Sequence, residues 1–404
     1  MRTTIALLVL SAAAYAQDQQ VGARTKAMGG SYTAFEDDPV SVWLNPTGIA
    51  TQPDALGIAY QTYTTYDLDI TPSILPPSGD EPVGEPVTGW TDPALIPSYL
   101  GLVFHLGTPE SPQAFGFCFT APYQLKFPVS TTFDTDIVGA RFEQVFYRFR
   151  AAYARDFRFQ PAGTEGFLTH LSVGLAVDLA VSRLVFRELA PDSLAVFGVA
   201  LDENLSDVGV GGGAGLLLGV YDNTRNFKVN LGLAYQSKVH FNFSLSPEFA
   251  PQFDWPNQYQ AGLTVYLLDG MPLRITADVQ RIEWDGATAD STLPDGHNFE
   301  DLNNYSLGVE YALKIPSLFA GVTFYPRAGI RRQDAPWQST NGQELPAIRN
   351  RRMVIRPDEE VYTVGSFGLG IGWSSEAGKS RSFDFAFDFG GDTNNFAMGF
   401  TLEM

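Results

Sequence analysis

Between Phe383 and Gly390 the chain reads Phe-Asp-Phe-Ala-Phe-Asp-Phe-Gly, so four phenyl rings at every second position alternate with Asp384, Ala386, Asp388 and Gly390. Only extended backbone sends successive side chains to opposite faces; a helix would spread those rings around its axis. The same two-faced pattern recurs with Leu171, Val173, Leu175, Val177, Leu179 and Val181 against Ser172, Gly174, Ala176, Asp178, Ala180 and Ser182. It returns in Phe227–Gln236 and again in Leu273–Gln280. In a soluble sandwich the polar face would carry Lys, Glu and Thr for water. Here that face is crowded with Gly, Ala and Ser, and large aromatics sit near strand ends, as membrane-interface girdles require. Lipid outside and a filled lumen inside is the arrangement that suits both faces.

Segments of this kind are expected near 55–66, 98–107, 113–123, 143–157, 168–184, 207–221, 226–243, 258–268, 272–284, 304–314, 317–328, 361–374, 382–390 and 394–403. That is about fourteen strands, an even number, as single-chain bacterial barrels have. The fold class is therefore all-β, a transmembrane antiparallel β-barrel. Short links, as at Thr108–Pro112, Asp222–Arg225, Asp269–Met271, Ile315–Pro316 and Ser375–Arg381, alternate with long ones, as at Asp67–Pro97, Gln124–Phe142, Val185–Ser206, Ser244–Asn257, Asp285–Asn303 and Arg331–Glu360. Such barrels have short periplasmic turns and long outer loops, which puts both chain ends on the periplasmic side. The link near Gly391–Thr393 is then a tight outer one.

Arg2, the uncharged apolar run Ile5–Ala14 and the small-x-small sequence Ala14-Tyr15-Ala16 read as a signal peptide over residues 1–16, with the exported chain beginning at Gln17. Beyond residue 16 no run approaches eighteen apolar residues, so helical membrane spans are excluded. The lone Cys118 rules out an intramolecular disulfide framework and is expected to pack as a small hydrophobe. A formal net charge of -19 argues against nucleic-acid partners.

Residues 21–50, VGARTKAMGGSYTAFEDDPVSVWLNPTGIA, do not alternate. Gly29-Gly30, Asp37-Asp38-Pro39 and Asn45-Pro46 supply turn chemistry. Met28, Tyr32, Phe35, Val42, Trp43, Leu44 and Ile49 are too many large apolar groups to leave in water. The available shelter is the barrel interior, giving a hatch at 17–52 and a barrel at 53–404.

This stretch resembles the hatch of the long-chain fatty acid transporter (FadL-type) family, through Gly22-Ala23-Arg24, Met28-Gly29-Gly30, Asp37-Asp38-Pro39 and Asn45-Pro46-Thr47-Gly48, with Thr47 where the family usually has Ala. Gly232–Val239, Ala277–Gln280 with Trp284, and Leu307–Tyr311 are similar to three of its strand motifs. The resemblance implies a bacterial outer-membrane channel for passive uptake of hydrophobic molecules, long-chain fatty acids or aromatic hydrocarbons, with hatch movement and lateral release through the wall. Gly29, Gly30, Asp37, Asp38, Asn45 and Pro46 would then be hatch and gating residues. A competing expectation is a barrel shuttle or scaffold subunit of a secretion machine, as in PorV-type proteins with a similar N-terminal element. A polar-solute porin would need an open lumen.

No catalytic constellation is visible: His105, His170, His240 and His297 lack metal-ligand spacing, and there is no nucleophile elbow or phosphate loop. Neither enzyme activity, a cofactor nor a metal is expected, and Gly209–Gly215 reads as a strand with a small lumen face. Strand parity points Arg148, Arg150, Lys228, Lys238, Arg274, Asp278, Glu310, Asp384 and Asp388 inward. Two roles stay open for Arg148, Arg150 and Arg274: an internal ion-pair network that holds the hatch, or a site for a fatty-acid carboxylate. Arg331, Arg332, Arg349, Arg351, Arg352 and Arg356 concentrate in an expected outer loop, either solvated or facing lipopolysaccharide phosphates. The other expected partners are outer-membrane lipids, and the barrel is expected to be a monomer.

Overall fold

The structure, a computed structural model, describes residues 21–35, 37–62, 70–73, 95–108, 110–133, 136–160, 164–188, 202–241, 254–270, 272–283, 301–315, 321–334, 352–355, 361–374, 378–390 and 393–404. Its strands in chain order are β1 (Ala55–Thr62), β2 (Ile70–Ser73), β3 (Leu95–His105), β4 (Gln113–Phe133), β5 (Asp136–Arg158), β6 (Gly166–Glu188), β7 (Asp202–Asp222), β8 (Phe227–Gln236) and β9 (Asn257–Leu267). They continue with β10 (Leu273–Glu283), β11 (Leu302–Tyr311), β12 (Leu313–Lys314), β13 (Val322–Asp334), β14 (Arg352–Ile355), β15 (Val361–Ser374), β16 (Ser380–Gly390) and β17 (Thr393–Glu403). β1 pairs with both β17 and β3, and β11 with both β10 and β13, so the antiparallel sheet closes into a barrel of 14 strands. Closure leaves no unpaired strand edge in the wall, which backbone crossing a bilayer requires. β12 is a short continuation of β11, and β2 pairs with β14 in a separate two-stranded sheet that ties together two long connections.

All fourteen expected strands are present, with corrected ends. β4, β5, β6 and β7 have 21, 23, 23 and 21 residues, so much of Gln124–Phe142 and part of Val185–Ser206, expected as loops, continues the wall. About 9–11 tilted residues cross the hydrocarbon, so these four strands project beyond the membrane at the long-loop end. β8 ends at Gln236 rather than 243. Val239 then bridges Trp255 instead of continuing the ladder, and both Val239 and Phe241 are fully buried. Apolar groups that the two-residue period assigned to lipid turn inward here because the chain has left the wall. Lys238, expected to point inward, is instead exposed and pairs with Asp254 at 2.5 Å, because the alternation no longer applies once the chain leaves the wall. β13 begins at Val322 rather than 317.

The two faces follow the sequence parity. Leu175, Val177 and Leu179 are exposed on the outside, whereas Ser172, Ala176, Asp178 and Ala180 are buried inside. At the short-turn end, Asn223 Oδ1 accepts from the backbone N–H groups of Asn226 and Phe227 at 2.9 and 2.8 Å. That side-chain cap closes the β7–β8 turn in few residues.

Residues 21–52 pack against inward-facing positions on opposite walls. The helix α1 (Ala23–Ala27) touches β13, β15, β16, β17 and β1, and a 3-10 turn at Pro46–Ile49 touches β4 to β7. Between them lies α2 (Ser41–Leu44). Met28, Tyr32, Phe35, Val42, Trp43, Leu44 and Ile49 are all buried, in one cluster with Tyr99, Val103, Cys118, Ala152 and Ala176 of the wall. The core of the molecule is thus the lumen. Its outward surface is apolar as well, so hydrophobic burial acts twice, against the segment and against lipid.

Candidate functional site

The lumen is built by fitting the backbone of the N-terminal segment onto glycines of the wall. A methyl group at Gly174 would sit 2.7 Å from the Thr47 backbone nitrogen, and one at Gly308 2.5 Å from the Met28 carbonyl oxygen. Gly329 faces the backbone of Gly29 and Gly232 that of Thr33 in the same way, and Gly215 makes room for the Asn45 side chain. Small lumen residues therefore mark where the segment seats. Gly29 has φ +65 and Gly30 φ +87, a left-handed pair that turns the chain after α1.

Around these contacts runs an ion-pair network. Arg24 donates through Nε to Glu310 at 2.9 Å and through a terminal nitrogen to Asp37 at 3.0 Å. Arg274 joins the same two carboxylates, at 2.6 Å to Asp37 and 2.9 Å to Glu310. Arg327 bridges Glu310 at 2.6 Å and Asp384 at 2.5 Å. Glu310 thus receives three arginines, one from the segment and two from the wall. Register places this group near the short-turn ends of β10, β11, β13 and β16.

Partial burial acts to raise the Asp37 carboxyl, but Arg24 and Arg274 outweigh it and hold the group below its ordinary value. Burial pushes Asp38 the other way, upward, against the opposing charge of Arg24 and the Val40 N–H that it accepts at 2.9 Å. Adjacent carboxyls are set apart because only Asp37 touches two cations.

Two further connections lie deeper. Lys26 Nζ is 3.2 Å from Asp388 Oδ2, and Arg331 donates to the same oxygen at 3.1 Å. Asp278 Oδ2 accepts from the backbone N–H groups of Tyr32 and Thr33 at 2.7 and 2.8 Å and from the Thr33 hydroxyl at 2.7 Å. Asn45 closes the segment on itself: its Nδ2 donates to the Thr33 carbonyl at 2.7 Å, and its Oδ1 accepts from the Thr47 hydroxyl at 2.7 Å. The hydroxyl at position 47 therefore braces the turn that Pro46 opens.

On the opposite wall, Arg150 donates to Asp178 through two nitrogens, at 2.6 and 2.8 Å, and to the Trp43 carbonyl. Arg148 lies 3.4 Å from Asp178, with its guanidinium 5.3 Å from the Trp43 ring and 5.1 Å from the Trp255 ring. Above it Val239, Phe241 and Trp255 form a buried cluster with Ala180, flanked by Phe146 and Leu205. Arg148, Arg150 and Arg274 are thus inward, as parity predicts, but not in one place: two sit together beside Trp43, and Arg274 belongs to the Glu310 group.

Of the hatch positions expected from sequence, Gly29, Asp37, Asp38, Asn45 and Pro46 contact the wall or brace the segment, and Gly30 completes the turn. Arg331, expected in an outer loop, is instead buried in β13 and pairs with Asp388, since the strand runs past the position where the loop was placed. Arg332 is exposed on the opposite face. Arg349, Arg351 and Arg356 lie outside the described residues, as do residues 1–16. Sequence reasoning did not single out Lys26, Arg327 or Trp255. Inward parity on β13 could have found Arg327, whereas Lys26 carried no periodic signal.

No protein-family profile matches the sequence, and no curated protein matches it. Solved structures do resemble the fold. A FadL homologue of Pseudomonas aeruginosa superposes with a TM-score of 0.56 at 13% identity, covering 95% of this chain and 98% of that one. The Ralstonia pickettii toluene transporter TbuX gives 0.54 at 16% identity over 96% and 99%. The P. putida toluene transporter TodX gives 0.56 at 15% identity over 96% and 99%.

Proposed function

We propose that this protein is a bacterial outer-membrane channel for passive uptake of hydrophobic molecules, such as aromatic hydrocarbons or long-chain fatty acids, and that residues 17–52 are its hatch, following a signal peptide at 1–16. The observation that carries the proposal is the filled lumen. A segment seated on glycines and ion pairs closes a barrel that would otherwise pass polar solutes, while its apolar surroundings favour oily cargo. Likeness of fold to toluene transporters and a FadL homologue supports the same cargo class.

In this scheme cargo is received among Phe146, Val239, Phe241 and Trp255, directly above Trp43. Arg148, flanked by two indole rings, is the arginine best placed for a carboxylate, because Arg150 and Arg274 are engaged in shorter ion pairs. The segment moves to open a path, and cargo leaves sideways. The β4–β5 ladder supports a lateral exit: its register breaks between Thr120 and Tyr123, around Ala121 and Pro122. Proline supplies no N–H to the ladder there.

The test is uptake of labelled oleate and of toluene into liposomes holding the purified protein, beside a variant lacking residues 17–50. The native protein should accumulate both above protein-free liposomes, and the deletion should also admit polar dyes. Native uptake no greater than that of empty liposomes would overturn the proposal and favour a scaffold role.

A further inference from the structure

The outside of the wall carries a groove of about 830 Å³ across β6 to β11. It is bounded by two outward rows fixed by register. One runs from Leu175 through Ala214, Tyr235 and Tyr259 to Arg281 and Asn303. The other runs from Val173 and Leu216 through Leu233, Ala261 and Val279 to Tyr305. The inward row between them begins Gly174, Gly215, Ala234, and Thr47 and Asn45 of the N-terminal segment press on the two glycines from inside.

We propose that this groove docks one lipid of the outer leaflet, with an anionic head group at Arg281 and an acyl chain running toward Val173 and Leu175. The two ends differ in the way such a molecule does. Arg281 and Asn303 lie at the long-loop ends of β10 and β11, the outer interface, and Arg281 is half-exposed beside Asp301 at 2.7 Å. Tyr235, Tyr259 and Tyr305 line that half, as aromatic residues do at the headgroup level. The other end is aliphatic and reaches the middle of the long strands β6 and β7.

Size selects the occupant. The two rows are two residues apart along each strand, about 7 Å. That suits a hydrocarbon chain, whereas a partner helix is about 10 Å across or more. Ala214 and Ala261 keep the floor low between larger neighbours. The groove is separate from the cargo path inside the barrel, so its occupation does not depend on what the channel carries.

The experiment uses the full protein in nanodiscs of mixed phosphatidylglycerol and phosphatidylcholine, released for native mass spectrometry, with folding checked by heat-modifiable gel mobility. The native protein should retain one phosphatidylglycerol in preference to phosphatidylcholine. Filling the floor with Ala261→Phe, or with Ala214→Leu should the first variant fail to fold, should reduce retention about tenfold, the effect of displacing about two buried methylenes. Arg281→Gln should lower the preference for phosphatidylglycerol about threefold, as loss of a partly exposed charge contact does. Phe367→Leu, on the outward face of the far wall, should change neither. Equal retention by native protein and the filled variants, or loss of retention in Phe367→Leu as well, would overturn the proposal.

Discussion

Lys26 of α1 meets Asp388 of β16 across 362 positions of sequence, with both side chains shielded from solvent and Nζ 3.2 Å from the carboxylate. The same carboxylate receives Arg331, so one acidic group on the wall balances a cation from the segment and one from β13, two strands away. Asp388→Leu takes the shared carboxylate from both. Breaking a buried pair by removing one partner costs about 3–5 kcal/mol, and the loss is expected to fall on seating of the segment. Limited proteolysis of the folded barrel should show faster cleavage within residues 21–50 while heat-modifiable mobility persists.

Gly329 and Gly29 approach backbone to backbone, leaving no room for a methyl group on either. Gly329→Ala must move the segment, since the atoms it meets are main-chain atoms of Met28 and Gly29. Raised single-channel conductance in planar bilayers is the expected outcome. The control is Gly270→Ala: its turn glycine has nothing within 4 Å of an added methyl, so any effect comes only from its φ of +74 and should leave conductance closed.

Asp278 accepts three hydrogen bonds at one oxygen, two of them from backbone N–H groups that have left regular structure. Asp278→Ala strands those buried donors, at about 1–3 kcal/mol for each unsatisfied group. Asp278→Asn keeps an acceptor and should lie between the two. The order native, Asn, Ala in the urea concentration at which added protease first cleaves within residues 21–50 would show that this carboxylate is a fastening point.

Asp37 sets an acid limit. Its carboxyl is held below its ordinary value by Arg24 and Arg274 against the effect of partial burial. A group with a lowered value in the seated state stabilises that state fully above the ordinary value, about 4, and loses the contribution as pH falls through the lowered value. The contribution of Asp37 to seating should therefore be constant from neutral pH to about pH 4 and be lost below it. Asp37→Asn should be weaker at neutral pH and flatter in acid. The side chain is more than a third exposed, so solvent screens the pair and the effect is modest. Cleavage rate of residues 21–50 by an acid-active protease against pH is the measurement.

The strands were legible because a barrel wall has two solvents, lipid and lumen, and writes them on alternate residues, as Phe383 to Gly390 does. The tiny lumen residues Gly174, Gly215 and Gly308 were legible as small, and the apolar residues Met28 to Ile49 as needing shelter. Alternation says nothing about chain that leaves the ladder. Val239 and Phe241 kept an outward-looking rhythm after β8 had ended, and Arg331 looked like loop because strand length beyond the membrane is not constrained by hydrophobic thickness.

What the sequence by itself determined is the kind of object: a barrel of fourteen two-faced strands with an oily segment that had to be buried. Only the tertiary structure decided which charge answers which. Lys26, Asp37 and Thr33 are near one another in sequence, yet Asp388, the partner of Lys26, comes from β16, whereas Arg274 and Asp278, the partners of Asp37 and Thr33, come from β10. Closure of the sheet sets those distances, and a local period carries no record of how a ring closes.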